Sequence, residues 1–279
     1  MGILDRLNLF IEIYIRIIRS LKSVRLLAPF IILAFLESIW LLALVYFYYP
    51  PINRLLTPLL KYFYSDLALH YPRFYFILPQ IYKYGSTLAL DFVFGIILTA
   101  AAIFMLGTDF KQERGGLIEG IRTAVKSLPA LILIWLLKTV LVILVFKYGG
   151  SVILPLVSDF PFSFFASIFA IQILGLIVSM LLVYAFPAIV LQHQGFLQAI
   201  GSSLRLSSKN FVFTFMLLFI PWFILFPIGY LTTAKLIIIL YKFSSTMLVY
   251  LLFLEIIISI AANYLLYAGV TYFFLNETE

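Results

Sequence analysis

The sequence contains no cysteine in 279 residues. Disulfides, thiolate metal centres, cysteine nucleophiles and prenyl or palmitoyl anchors are thereby excluded. Histidine is almost as scarce: His70 and His193 are the only two, too few for a histidine-built metal centre, and neither a metal nor a cofactor is expected. Charge is thin as well. Asp, Glu, Lys and Arg make up 11% of the chain, against about 25% in an ordinary soluble domain. Apolar residues take up the difference at 64%, where a soluble domain has about 45–50%. Mean hydropathy is +1.13. A soluble enzyme, a disordered chain and a nucleic-acid binder are excluded by these proportions, and the bilayer is the solvent that fits. The net charge of +7 then reads as attraction to anionic headgroups rather than to nucleic acid.

A crossing helix needs about 20 mostly apolar residues. Six stretches qualify: Ala28–Tyr49, Leu90–Gly107, Leu128–Phe146, Phe164–Leu191, Phe211–Leu231 and Met247–Val270. The runs are continuous rather than alternating in twos, which argues against a strand barrel. The expected fold is all-α, a polytopic membrane protein with six transmembrane helices. The fourth stretch is long enough to tilt, or to bend near Pro187, and Pro221 and Pro227 should distort the fifth. Ala100, Ala101, Ala102 and the Gly175/Ser179 pair offer small faces for close helix packing. No cleavable signal is expected, because Asp5, Glu12, Arg16 and Arg19 interrupt the first apolar segment.

The amphipathic first segment is followed by two similar ones. Asp5, Asn8, Glu12, Arg16, Arg19 and Ser23 recur at three- and four-residue steps, with Leu7, Phe10, Tyr14, Ile17, Ile18 and Leu21 opposite. Such a helix is suited to lie in the interface. Glu119, Arg122 and Lys126 repeat the spacing before the third span, and Gln198, Ser202, Arg205 and Lys209 before the fifth. Aligning Ile17, Ile121 and Ile200 brings Lys22, Lys126 and Arg205 into register. The expected organisation is three repeats of interfacial helix plus transmembrane hairpin. Its parts are an interfacial helix at 1–27, a first hairpin at 28–107 with a long Tyr-rich outer loop (50–89), interfacial helix and second hairpin at 108–191, interfacial helix and third hairpin at 192–270, and a tail at 271–279. The alternative is that juxtamembrane cytoplasmic segments are commonly basic and amphipathic.

Loop Lys and Arg set orientation. The side holding both termini carries eleven: Arg6, Arg16, Arg19, Lys22, Arg25, Lys111, Arg114, Arg122, Lys126, Arg205 and Lys209. The other carries seven: Arg54, Lys61, Arg73, Lys83, Lys147, Lys235 and Lys242. Both termini are therefore expected in the cytoplasm, in a multi-pass protein of the cell membrane.

The segment HQGFLQAIGSSLRLSSKNFVFTFMLLFI (193–220) resembles the cytoplasmic loop and following span of a broad group of six-helix prokaryotic membrane proteins. That group includes the uncharacterised YciC family and the membrane domain found beside glycerophosphodiester phosphodiesterases. The matching positions are Gly195, Ala199, Ser203, Leu206 and Asn210–Phe211, and GGLIEGIRTAVKSLPALIL (115–133) is a less complete second copy. The resemblance implies a six-span layout. It transfers no catalytic residue, because the phosphodiesterase chemistry of that group resides in a separate soluble domain.

Three ionisable residues fall near the middle of expected spans: Glu37, Lys138 and Glu255. Each costs about 2.5–3.5 kcal/mol at the bilayer centre, so each should face the bundle or a cavity. A Glu–Lys–Glu cluster is one reading and a structural ion pair is the other. Gln172 and Asn263 are the next polar neighbours, and Asp91, opening the second span, should cap that helix or sit in the interface. The Tyr-rich loop reads as an interfacial platform or, alternatively, a binding loop.

No catalytic constellation stands out, so an enzyme is not expected. Two functions remain open. One is a membrane-organising or lipid- and partner-binding protein, with Arg16, Arg19, Lys22, Arg122, Lys126, Arg205 and Lys209 resting on headgroups. The other is a small-solute or proton-coupled transporter built on the midplane Glu/Lys cluster. Membrane lipids are the expected partners, with a second copy or another membrane protein as a further one.

Overall fold

A computed structural model describes residues 3–113, 115–157 and 163–278. Arg114, residues 1–2 of the first interfacial segment and residue 279 of the tail lie outside the described residues, as do the side chains of Asp5 and Arg6. The described chain is helical, without a strand. In order the helices are α1 (Ile3–Ser20), α2 (Val24–Val45), α3 (Ile52–Phe63), α4 (Phe74–Gly85), α5 (Ile96–Phe110), α6 (Leu117–Lys126), α7 (Leu128–Val157), α8 (Ser163–Leu181), α9 (Ala185–Gln192), α10 (Phe196–Lys209), α11 (Phe211–Thr233), α12 (Leu236–Lys242) and α13 (Ser245–Thr278). A 3-10 turn covers Asp66–Leu69, and Ser86–Gly95 is a π-helix joining α4 to α5.

Six segments are long and apolar enough to cross a membrane: Val24–Val45, Phe74–Phe110, Leu128–Ile153, Phe165–Gln192, Phe211–Thr233 and Ser245–Thr278. Five agree with the sequence expectation to within a few residues at most ends, the C-terminal ends of the third and sixth running further. The second does not: it begins at Phe74, sixteen residues before the expected Leu90. The outer loop predicted over 50–89 therefore ends before α4. Pro79, Gln80, Lys83 and Gly85 interrupt the apolar run and hide this part of the helix from a hydropathy reading.

The chain divides into two compact units. The first comprises Met1–Pro29, Ile96–Pro221 and Leu265–Glu279. Small residues let its helices approach closely. Ala100, Ala101 and Ala102 are fully buried, and a Cβ on Gly120 of α6 would lie 2.9 Å from the Ala101 carbonyl oxygen. A Cβ on Gly107 would likewise run into Leu191.

The fourth span is broken between α8 and α9, over residues 182–184. Pro187 lacks an N–H and its ring clashes with the carbonyl four residues back, at Val183. Two serines of α10 occupy the break. Ser203 donates to the Leu181 carbonyl (2.8 Å) and accepts from the Tyr184 N–H (3.2 Å), while Ser207 donates to the Met180 carbonyl (2.8 Å). Backbone groups freed inside a membrane protein need such partners. By contrast, α11 runs as one helix through Pro221 and Pro227.

α6 and α10 bury equivalent positions at a 79-residue offset. Gly120 and Ala199 are buried, as are Ala124 and Ser203, whereas Ile118 and Leu197, and Val125 and Leu204, are exposed. α1 departs from this pattern. It buries Ile13 and Ile17 but exposes a second apolar row, Leu7, Ile11, Ile15 and Ile18. An exposed apolar row flanked by Glu12 and Arg19 suits the membrane interface.

The second unit comprises Phe30–Gly95 and Trp222–Tyr264. Its core is built by Leu41, Leu44, Phe47, Phe74, Leu78, Ile81, Leu248 and Leu252. The Tyr-rich segment is tied to this core: Phe47 stacks on Phe74 at 4.9 Å between centroids, and the Tyr48 hydroxyl donates to the Leu69 carbonyl (3.1 Å). Burial pushes the Tyr48 phenol up to about 12. Lys61, hydrogen-bonded to Asp66 at 2.9 Å, holds that exposed carboxyl below its ordinary value. α3 exposes Leu55, Leu59, Tyr62 and Phe63 along one side, an apolar face of the kind that sits at a membrane surface.

Candidate intramembrane site

Four charged residues of the second unit lie within its spans: Glu37, Lys83, Asp91 and Glu255. Lys83, on the last turn of α4, pairs with Glu255 of α13 at 3.1 Å. Its ammonium also donates to the Thr232 hydroxyl of α11 at 3.2 Å. Thr232 is fully buried and lies 3.4 Å from the other Glu255 carboxylate oxygen. Its hydroxyl has a single hydrogen to give, with the Ile228 and Gly229 carbonyls (3.1 and 3.2 Å) as competing acceptors. One turn earlier Gly229 lies beside the pair, where a Cβ would stand in ordinary contact, 3.9 Å from Glu255 and 4.0 Å from Lys83.

Two further carboxylates join this pair. Glu37 of α2 lies within electrostatic reach of Asp91 and Glu255, and Tyr82 feels all three acids. α2 is held beside α4 by Trp40, one turn beyond Glu37. The Trp40 indole donates to the Tyr82 carbonyl (3.3 Å), and Gly85 passes so near the ring that a Cβ there would overlap it. Asp91 sits on the π-helical Ser86–Gly95, folded toward Gly95, where a Cβ would lie 3.0 Å from its Oδ1. A π-helix shifts side chains out of α-helical register and often marks a functional position.

Thus Glu37 and Glu255 belong to one group, and the cation paired with Glu255 is Lys83. Sequence reasoning assigned Lys83 to the outer loop and Asp91 to a cap at the start of the second span. Both are corrected by the early start of that span, which puts Asp91 at its middle. Lys138 lies on α7 and Gln172 on α8, both in the first unit. Asn263 is a half-buried residue of α13 in the second.

The basic residues of the interfacial segments separate into two groups. Arg16 is engaged internally. Its guanidinium donates to the Asp109 and Phe110 carbonyls (3.2 and 2.9 Å) and lies over the Phe110 and Tyr272 rings. It closes the C-terminus of α5, where a cation satisfies the last carbonyls and the helix dipole. Tyr272 completes the contact through its hydroxyl, which donates to Asp109 (3.0 Å). Lys209 is paired with Glu277 at 2.9 Å. Arg19, Lys22, Arg122, Lys126 and Arg205 are exposed.

The residues that carry the family resemblance are mostly packing residues. Ala199, Ser203 and Asn210 are essentially inaccessible and Leu206 is 9% exposed, while Gly195 opens α10.

Six spanning-length apolar segments and this intramembrane cluster define a multi-pass integral membrane protein. Comparison with family models, with curated proteins and with solved structures finds no match for the chain.

Proposed function

We propose that this protein is non-enzymatic and binds a proton or a small cation within the membrane, as a step in moving a small solute or ion across it. The observation that carries this reading is the concentration of acid in the cluster. Glu37 lies within electrostatic reach of Asp91 and Glu255, and Lys83 is the ammonium paired with Glu255. Lone charges are costly at this depth, so a group with surplus acid has a physical reason to take up positive charge. Thr232, hydrogen-bonded to Lys83 and within reach of Glu255, offers a hydroxyl through which a proton can pass between them. Lys83–Glu255 anchors the group, and Glu37 and Asp91 supply the exchangeable capacity.

The test is reconstitution into liposomes carrying an internal pH dye. Wild-type protein should move protons above the level of empty vesicles when a pH gradient or candidate solute is imposed. Glu37→Gln and Asp91→Asn should lower that flux at least about tenfold while keeping the thermal midpoint near wild type. Lys83→Met leaves Glu255 without its cation and should cost about 3–5 kcal/mol. Absence of proton movement by folded wild-type protein, or flux retained in both acid variants, overturns the reading.

A second reading rests on the exposed basic positions. Arg19, Lys22, Arg122, Lys126 and Arg205 meet anionic headgroups at the cytoplasmic face, each worth about 1 kcal/mol near a charged surface. The matched burial of α6 and α10 supports a duplicated interfacial helix.

A further inference from the structure

An open cavity of about 400 Å³ lies in the first unit, lined by Lys126, Ser127, Pro129, Ala130, Ile189, His193 and Gln194. Three local features create it. α6 ends at Lys126 and α7 begins two residues later, with Ser127 as the junction. α9 ends on His193, whose φ of 53° is left-handed and turns the chain away from the helix axis. Gln194 is then clamped, its backbone N–H donating to the Ala188 carbonyl (3.2 Å) and its side-chain oxygen accepting from Ser202 (2.8 Å).

Three side chains on the polar wall of this cavity can donate, and the fourth, Gln194, is held by Ser202 and Gln192. Lys126 carries a full positive charge, His193 offers a ring N–H in either protonation state, and Ser127 a hydroxyl. Among the described residues none of these three side chains has a hydrogen bond or ion pair. Ala130 lies in the first turn of α7, where backbone N–H groups lack intrahelical acceptors. Among the described residues no carboxylate lines the cavity. Its other wall, Pro129, Ala130 and Ile189, is apolar. Donors and positive charge on one side and hydrocarbon on the other match a phosphate ester attached to an apolar body.

We infer that this cavity binds the phosphate of an anionic phospholipid headgroup, with Lys126 and His193 as the ligating side chains. The inference rests on the interfacial-helix reading of α6 and adds a defined site to it. It is independent of the intramembrane acid cluster. Lys126 contributes the charge-assisted contact, and His193 and Ser127 fix the remaining phosphate oxygens.

The experiment uses full-length protein in phosphatidylcholine nanodiscs containing increasing phosphatidylglycerol, with bound lipid counted by native mass spectrometry. Wild type should retain one tightly held phosphatidylglycerol. Lys126→Met and His193→Ala should each weaken its retention about tenfold, whereas Lys242→Met, exposed but outside the cavity and outside the headgroup-binding set, should leave it unchanged. Competition by inorganic phosphate distinguishes the sources. Displacement at millimolar phosphate supports the same site serving soluble phosphate esters, and resistance supports the lipid. Unchanged retention in both cavity variants, or an equal loss in Lys242→Met, overturns the inference. Unchanged retention in the cavity variants with a phosphatidylglycerol preference kept would still support the broader reading of a basic surface, whereas absence of any phosphatidylglycerol preference in wild type would overturn both.

Discussion

Lys83 and Tyr14 illustrate how single residues acquire meaning from what surrounds them. Lys83 was readable only as one of several loop cations, because the polar residues near it break the apolar run that would mark a span. Tyr14 was readable as a member of an apolar face, yet its hydroxyl is buried without a partner. Burial pushes the Tyr14 phenol up to about 12. A value raised in the folded state means that the stability it reflects is fully present below pH 10 and is lost as pH climbs through about 12. Tyr14→Phe should therefore reduce the alkaline loss of thermal midpoint between pH 10 and 12. At neutral pH it should be neutral or stabilising by up to about 1 kcal/mol, since it removes an unsatisfied hydroxyl. Differential scanning fluorimetry across that pH range checks both outcomes. Arg16 belongs here as well. Its spacing along α1 is what a headgroup-binding residue would show, and only the positions of Phe110 and Tyr272 turn it into a helix cap.

Among the elements, the broken fourth span is the most instructive. Pro187 makes a break near its position legible from the sequence, and the break falls three to five residues before it. What the sequence does not reveal is the repair. Ser203 and Ser207 look like the small polar residues of any interfacial helix, but their hydroxyls satisfy Leu181, Tyr184 and Met180 across the bend. Ser203→Ala should lower stability by about 1–3 kcal/mol by leaving buried backbone groups unpaired. The Ser203→Ala/Ser207→Ala pair should cost more than either alone. Ser208→Ala, whose hydroxyl bonds only to its own helix, should change the thermal midpoint in detergent little.

At the level of the whole molecule, six successive crossings predict α3 on one side of the membrane and α6 and α10 on the other. The natural absence of cysteine makes this directly testable. Tyr62→Cys on α3 and Leu197→Cys on α10 alter side chains that are 85% and 78% exposed. In right-side-out vesicles a membrane-impermeant maleimide should label the first and spare the second, with inverted vesicles giving the reverse. Labelling of both from one side would remove the six-span topology. The excess of Lys and Arg on the α6/α10 side predicts that the labelled face of inverted vesicles is the cytoplasmic one.

The number of spans, their approximate places and the all-helical class follow from the sequence by itself. Hydropathy is a local property, and about 20 consecutive apolar residues have one stable form in a bilayer. The early start of the second span escaped that reading, because a helix lined with polar residues is locally indistinguishable from a loop. The partners of the buried charges were beyond sequence in principle. Glu255 lies 172 positions from Lys83 and 23 from Thr232, and nothing in local spacing selects one cation over another at such separations. Helix packing made that choice, in part by setting Trp40 against Gly85. Partners then set Arg16, which caps α5, and Lys209, paired with Glu277, apart from the basic residues left to meet the membrane surface.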